Sequence, residues 1–92
     1  MLELKFTSKF KKDYRRVKRQ GKDLRKLKAV LLVLQSGEGL PPKNHDHDLS
    51  GSYAGHRECH IDPDWLLIYR VESDALTLTA VRTGSHADLF GM

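Results

Sequence analysis

Leu2, Leu4 and Phe6 alternate with Glu3 and Lys5 at the start of the chain, the two-residue period of a half-buried strand that ends near Thr7. The period then lengthens. Phe10, Tyr14 and Val17 recur at i, i+4 and i+7 among Lys9, Lys11, Lys12, Arg15, Arg16, Lys18 and Arg19, predicting an amphipathic helix capped by Ser8 and stopped by Gly21. Leu24, Leu27, Val30, Leu31 and Leu34 mark one face of a second helix, capped by Asp23 and broken at Gly37 and Gly39. So tight a connection between short helices predicts that they lie antiparallel. Residues 37–45, rich in Gly, Pro and Asn, predict a loop leading into Asp46-His47-Asp48-Leu49-Ser50-Gly51. It is the longest irregular segment, and long loops in small domains are often functional.

Three strand-like segments follow, residues 55–61, Trp65–Glu72 and residues 76–83, rich in aromatic and β-branched side chains. Asp62-Pro63-Asp64 and Ser73-Asp74 are short enough to make them consecutive hairpins of a meander. Trp65 to Tyr69 is almost continuously apolar, as in a strand covered on both faces, which places it centrally with the helix pair on one side. The expected fold class is α+β: an N-terminal strand, two antiparallel helices and a three-stranded antiparallel meander, in the order β-α-α-β-β-β. Ninety-two residues suffice for one modest core, so a single domain over residues 1–92 is expected.

Hydrophobic residues at 39% and charged residues at 30% favour neither a disordered nor a membrane protein. The longest apolar run, Ala29 to Leu34, is far too short to span a bilayer, and the first residues do not read as a signal peptide. Cys59 is the only cysteine, which excludes an intramolecular disulfide and fits a reducing compartment; a cytoplasmic location is expected. Charge is more informative. Residues 1–28 carry twelve Lys and Arg against three acids, whereas residues 29–92 carry four against nine. A basic half of this kind suggests a polyanionic partner or an acidic protein.

The meander decides which polar residues meet. His60 closes one strand, Asp64 opens the next, and Arg82 with His86 follows at the end of the last, so all four are expected at one end of the sheet, within reach of the loop carrying His47. Histidine both accepts and donates protons near neutrality. RNA cleavage needs both acts: a base for the 2′-hydroxyl proton, an acid for the departing 5′-oxygen, and a cation for the charge growing on the phosphate. His47, His60, His86 and Arg82 have the chemistry for these tasks; Asp64 suits either a base or a group that orients a histidine. His45 and His56 have no comparable positional support and read as loop or surface residues. Trp65 reads as core, and Phe90 as an aromatic able to stack on a base. Zinc ligation is not expected, because no Cys-x-x-Cys pair occurs and adjacent Cys59 and His60 in a strand point to opposite faces. No Gly-x-Ser-x-Gly elbow or glycine-rich phosphate loop occurs either.

Four blocks then occur in order: Asp46-His47-Asp48-Leu49-Ser50-Gly51, Gly55-His56-Arg57-Glu58-Cys59-His60, Pro63-Asp64-Trp65-Leu66-Leu67-Ile68-Tyr69, and Arg82-Thr83-Gly84-Ser85-His86 with Leu89-Phe90-Gly91. Together they resemble the YafQ-type toxins of the RelE/ParE superfamily, from bacterial type II toxin–antitoxin systems. The resemblance implies a microbial-RNase-like fold and a ribosome-dependent, metal-independent endoribonuclease that cuts mRNA and is neutralised by a cognate antitoxin. It implies catalytic roles for His47, His60, Asp64 and His86, with Phe90 holding substrate, an acid at Glu58 and a phosphate contact from Arg82. No cofactor is implied. Tyr53 departs from a common tryptophan, Ser85 from a usual threonine, and His45 and His56 are additional. The basic residues Lys11, Lys12, Arg15, Arg16 and Arg19 would then dock on ribosomal RNA. The competing readings are a gyrase-poisoning member of the superfamily, a non-catalytic nucleic-acid-binding module, and an inactive relative that retains only antitoxin binding.

Overall fold

In a computed structural model that describes residues 1–91, the elements are β1 (Glu3–Phe6), α1 (Ser8–Arg19), α2 (Leu24–Gln35), β2 (His47–Asp48), β3 (Arg57–Asp62), β4 (Trp65–Glu72), β5 (Thr77–Gly84) and α3 (His86–Phe90). Met92, the last residue of the expected domain, lies outside the described residues. The meander is present as β3-β4-β5, but the sheet is mixed and larger than expected, in the order β1-β5-β4-β3-β2. β1 joins it parallel to β5, and the two-residue β2 pairs antiparallel with β3.

Helix α1 starts one residue earlier in its capping than the sequence suggests. Thr7, not Ser8, is the cap: its hydroxyl oxygen accepts from the Phe10 N–H at 3.0 Å and its hydroxyl donates to the Val81 carbonyl at 2.7 Å. Tying the helix start to β5 decides between two adjacent hydroxyl residues of equal local merit. At the other end Gly21 takes φ +77°, and the Lys22 N–H reaches the Val17 carbonyl, closing the helix as expected. The buried stripe of α1 is Phe10, Asp13 and Val17, while Tyr14 is 37% exposed. An aspartate occupies the core-facing position the sequence assigned to tyrosine.

Leu27, Val30, Leu31 and Leu34 of α2 join Phe10 and Val17 against Cys59, Trp65, Leu67, Tyr69, Leu78 and Ala80 on the sheet. Leu66 and Ile68 are also fully buried, so β4 is covered on both faces, as its unbroken apolar run predicts. Trp65 belongs to this core; its indole N–H donates to Thr83 Oγ1 at 2.9 Å, and the Thr83 hydroxyl donates to the Leu66 carbonyl at 2.7 Å. Among the described residues no helix is long and apolar enough to cross a membrane.

β1 pairs with β5 only from Thr77 to Ala80. Beyond that point α1 runs beside the open edge and its side chains take over as partners. Asp13 accepts from the Thr83 N–H at 3.1 Å, and Arg16 donates to the Thr83 carbonyl at 2.9 Å. Backbone groups that a neighbouring strand would have satisfied are thereby capped, and the strand leading to His86 is held in place.

Candidate active site

The register of the sheet sets the site. Glu58 on β3 lies opposite Ile68 on β4, which lies opposite Arg82 on β5; His60 lies opposite Leu66, and Leu66 opposite Gly84. Strand alternation therefore puts Glu58 and His60 on one face and Cys59 on the other, in the core, where burial pushes its thiol up to about 12. Cys59 takes no part in the site.

The chain turns at Pro63 and Asp64 and returns at the far end of β5 into α3, a five-residue helix that the sequence reading missed. Ser85 and Asp88 form a reciprocal capping box around its first turn. His86 is its first residue, and Asp64 Oδ1 receives both its backbone N–H at 2.9 Å and its ring Nδ1 at 2.6 Å. A carboxylate only accepts, so Nδ1 carries the proton and Nε2 is the nitrogen left for chemistry. The His86 backbone and side-chain hydrogen bonds hold the Asp64 carboxyl below its ordinary value. Asp64 is thus an ionised partner of the His86 ring and backbone, the geometry that the orienting one of its two expected roles requires. On the opposite side, Arg16 Nε lies 3.6 Å from Asp88, so α3 is held from both flanks.

His60 stands with its ring centroid 5.7 Å from that of His86, edge to face. Burial lowers its pKa, Glu58 opposes the change, and His45, His86 and His47 add to it. Glu58 is 5% exposed; its Oε1 lies 3.5 Å from His47 Nε2 and 4.0 Å from His60 Nε2, and its Oε2 has no hydrogen-bond partner among the described residues. His47 Nδ1 is 2.7 Å from the His45 carbonyl and so must carry a proton.

The segment carrying His47 was expected as a loop. It contains β2, and it is anchored: Asp46 accepts from the Tyr69 hydroxyl at 2.7 Å and from Arg57 Nε at 3.2 Å, and the buried Asn44 donates to the His60 carbonyl at 2.7 Å. His45, read from sequence as a loop residue, is brought into the site, its ring centroid 5.3 Å from that of His60. No strand spacing marks it in the sequence, because β2 begins only at His47 and the left-handed backbone of His45 (φ 47°) is a three-dimensional fact. His56 stays outside, its ring nitrogen 3.2 Å from the Tyr53 carbonyl.

Two expected contributors are differently engaged. Arg82 does not stand free for a phosphate: its Nε and Nη2 grip Asp13 at 2.6 and 3.1 Å, and that hydrogen bonding, outweighing burial, raises its pKa. Arg16, placed with the docking residues, also bonds Asp13 at 3.0 Å and the Thr83 carbonyl. Lys11, Lys12, Arg15 and Arg19 are exposed. Phe90 is 38% exposed and meets Tyr53 edge to face at 6.3 Å. Among the described residues no three His, Cys, Asp or Glu side chains are arranged to hold a metal ion.

The sequence matches, over residues 2–91, the family described as bacterial toxin of type II toxin–antitoxin system, YafQ. It is 37% identical over 90 residues to the mRNA interferase toxin YafQ of Escherichia coli K12, covering 97% of this chain and 96% of that protein. A metal-bound toxin from Helicobacter pylori superposes with a TM-score of 0.92 at 41% identity, over 98% of this chain and all of that one. The toxin of the Escherichia coli DinJ-YafQ toxin-antitoxin complex superposes with a TM-score of 0.88 at 36% identity, over 98% of each chain. With the fold, the four sequence blocks and this near-complete coverage in agreement, the chain belongs to the YafQ family of bacterial type II toxins.

Proposed function

We propose that this protein is a ribosome-dependent, metal-independent endoribonuclease that cleaves mRNA and so arrests translation. The observation that carries the reading is the pairing of two unlike imidazoles, His60 depressed by burial and His86 held through Nδ1 by Asp64, with centroids 5.7 Å apart. A neutral His60 takes the proton of the 2′-hydroxyl. The 2′-oxygen attacks phosphorus, the bond to the 5′-oxygen breaks, and protonated His86 gives its Nε2 proton to that oxygen. The products are a 2′,3′-cyclic phosphate and a 5′-hydroxyl. Each proton transfer contributes about 10²- to 10⁴-fold. Glu58 stands against both His47 and His60 at the reacting phosphate, and Phe90 offers a stacking face for a base.

Two imidazoles supply both proton transfers, so the chemistry needs no metal-bound hydroxide. A transition metal bound to their free nitrogens would occupy the lone pairs in use, and added metal is expected to inhibit. The exposed Lys11, Lys12, Arg15 and Arg19 dock the protein on ribosomal RNA through phosphate contacts, which position without specifying sequence. The apolar groove of about 630 Å³ between the helices and β1, with Phe10, Leu27 and Leu31 inside and Lys11, Arg15 and Lys28 at its rim, suits an acidic amphipathic segment of the cognate antitoxin.

The test uses translating ribosomes incubated with wild-type protein or His86→Ala, with and without a transition-metal chelator that spares magnesium, followed by mapping of mRNA ends. Wild type is expected to cut at the same positions with chelator present, and the variant to lose cutting. Intact mRNA under every condition would sink the reading.

A further inference from the structure

We propose that Lys43 and His45 form a second phosphate subsite, which holds the backbone phosphate adjacent to the scissile one; the proposal rests on the RNA-cleaving reading above. A cavity of about 760 Å³ opens beside His60, lined by Lys43, His45, His47, His60 and Asp62 among others, but not by His86 or Asp64. His60 therefore borders two spaces, one shared with His86 and one shared with His45.

Charge in this second space is one-sided. Its wall carries an ammonium and three imidazoles. Its own acid, Asp62, is already matched by Lys26, with Nζ at 3.0 and 3.2 Å from the two carboxylate oxygens. Glu58 lies buried beneath His47 and His60 rather than in the opening. An ammonium and three imidazole rings facing one opening, with its carboxylate already paired, favour an anion there.

The subsite is also built at a fixed spacing from the catalytic strand. His45 ends the 3₁₀ turn Pro42–Asn44 at φ 47° and ψ 44°, a left-handed conformation that is strained for a non-glycine residue. That conformation accompanies a ring 5.3 Å from His60 and a carbonyl that accepts from His47 Nδ1 at 2.7 Å. Asn44 fastens the same turn to the His60 carbonyl. A single RNA strand presents one phosphate per nucleotide, so a strand whose scissile phosphate lies between His60 and His86 carries its neighbour across the Lys43 and His45 opening.

The test compares two non-cleavable 2′-O-methyl probes by NMR titration of the histidine ring resonances in the full-length protein: a dinucleoside monophosphate and a trinucleoside diphosphate. Both are expected to move His60 and His86, and only the second to move His45. Its affinity is expected to exceed that of the first and to fall more steeply with salt, the log–log slope differing by about 0.7 for the extra phosphate. Lys43→Ala and His45→Ala should each erase that increment and raise KM more than they lower kcat on ribosomes, and His45→Lys should restore it. Equal binding of the two probes by wild type, no histidine shift with either at millimolar concentration, or an increment that survives both alanine changes would overturn the subsite. mRNA cleavage without the increment leaves the nuclease reading standing; the increment without cleavage does the reverse.

Discussion

Asp13→Ala isolates what the buried aspartate of α1 does. Its side chain is 3% exposed and accepts four hydrogen bonds, from Arg82 Nε at 2.6 Å, Arg82 Nη2 at 3.1 Å, Arg16 Nη1 at 3.0 Å and the Thr83 N–H at 3.1 Å. Removing it leaves the Thr83 N–H, in a fully buried residue, without a partner, at a cost of about 1–3 kcal/mol. It also leaves Arg82, with 18% of its side chain exposed, as an uncompensated charge. Arg16 is 28% exposed and rehydrates more readily, so its share is small. The total matches the roughly 3–5 kcal/mol expected for breaking a buried ion pair from one side. In a domain of this size each kcal/mol lowers Tm by about 4–8 °C, so a fall of at least ~12 °C is expected. Urea unfolding followed by Trp65 fluorescence measures it, with the midpoint moving and the slope unchanged. Asp13→Leu combined with Arg82→Met removes both charges and should cost less than the two single changes added together. A loss below about 1 kcal/mol for Asp13→Ala would refute the assignment of a structural ion pair here.

Asp64→Asn removes the carboxylate that fixes the tautomer of His86; kcat for mRNA cleavage is expected to drop by about 10²-fold or more, with KM little changed, and an unaltered kcat would return His86 to a surface role. His60 titrates below its ordinary value of 6.5 in the folded protein, so the folded state binds fewer protons than the unfolded chain. Stability is then fully present above pH 6.5 and declines as pH falls through the lowered value; His60→Gln should flatten that stretch of a stability–pH curve. Reversing the charges of Lys11, Lys12, Arg15 and Arg19 together should weaken ribosome binding and reduce its salt dependence without lowering Tm, whereas reversing Arg16 alone should lower Tm. Sedimentation with ribosomes across a salt series, alongside thermal melts, checks both halves.

Most elements were legible because their periodicities are long and clean: three apolar positions on α1, five on α2 and the unbroken run of β4. The parallel pairing of β1 with β5 was not, since a four-residue alternating strand fits any free edge equally well. Helix α3 was missed for its brevity, although Ser85 and Asp88 at capping-box spacing marked it. His60, Asp64 and His86 could be brought together from topology alone, because hairpins dictate which strand ends share an edge. Asp13 and His45 could not. One sits among lysines and arginines like any polar-face residue, and its burial depends on α1 replacing a strand beside β5. The other depends on a single left-handed backbone conformation. Arg82 was placed at the correct end of β5, but its partner came from a helix 69 residues earlier.

The tie between Thr7 and Val81 joins positions 74 residues apart, and the whole of β1 closes the sheet at similar separation. Contacts so distant along the chain demand that loop-closure entropy be overcome before they return any stabilisation, which places folding in the millisecond-to-second range of sheet-rich topologies. Asp13 and Arg16, made early in synthesis, also hold the stretch that delivers His86. The edge that carries His86 therefore cannot mature ahead of the rest. In refolding, nuclease competence should return with the slowest global phase, and partially folded chains should be harmless to messenger RNA.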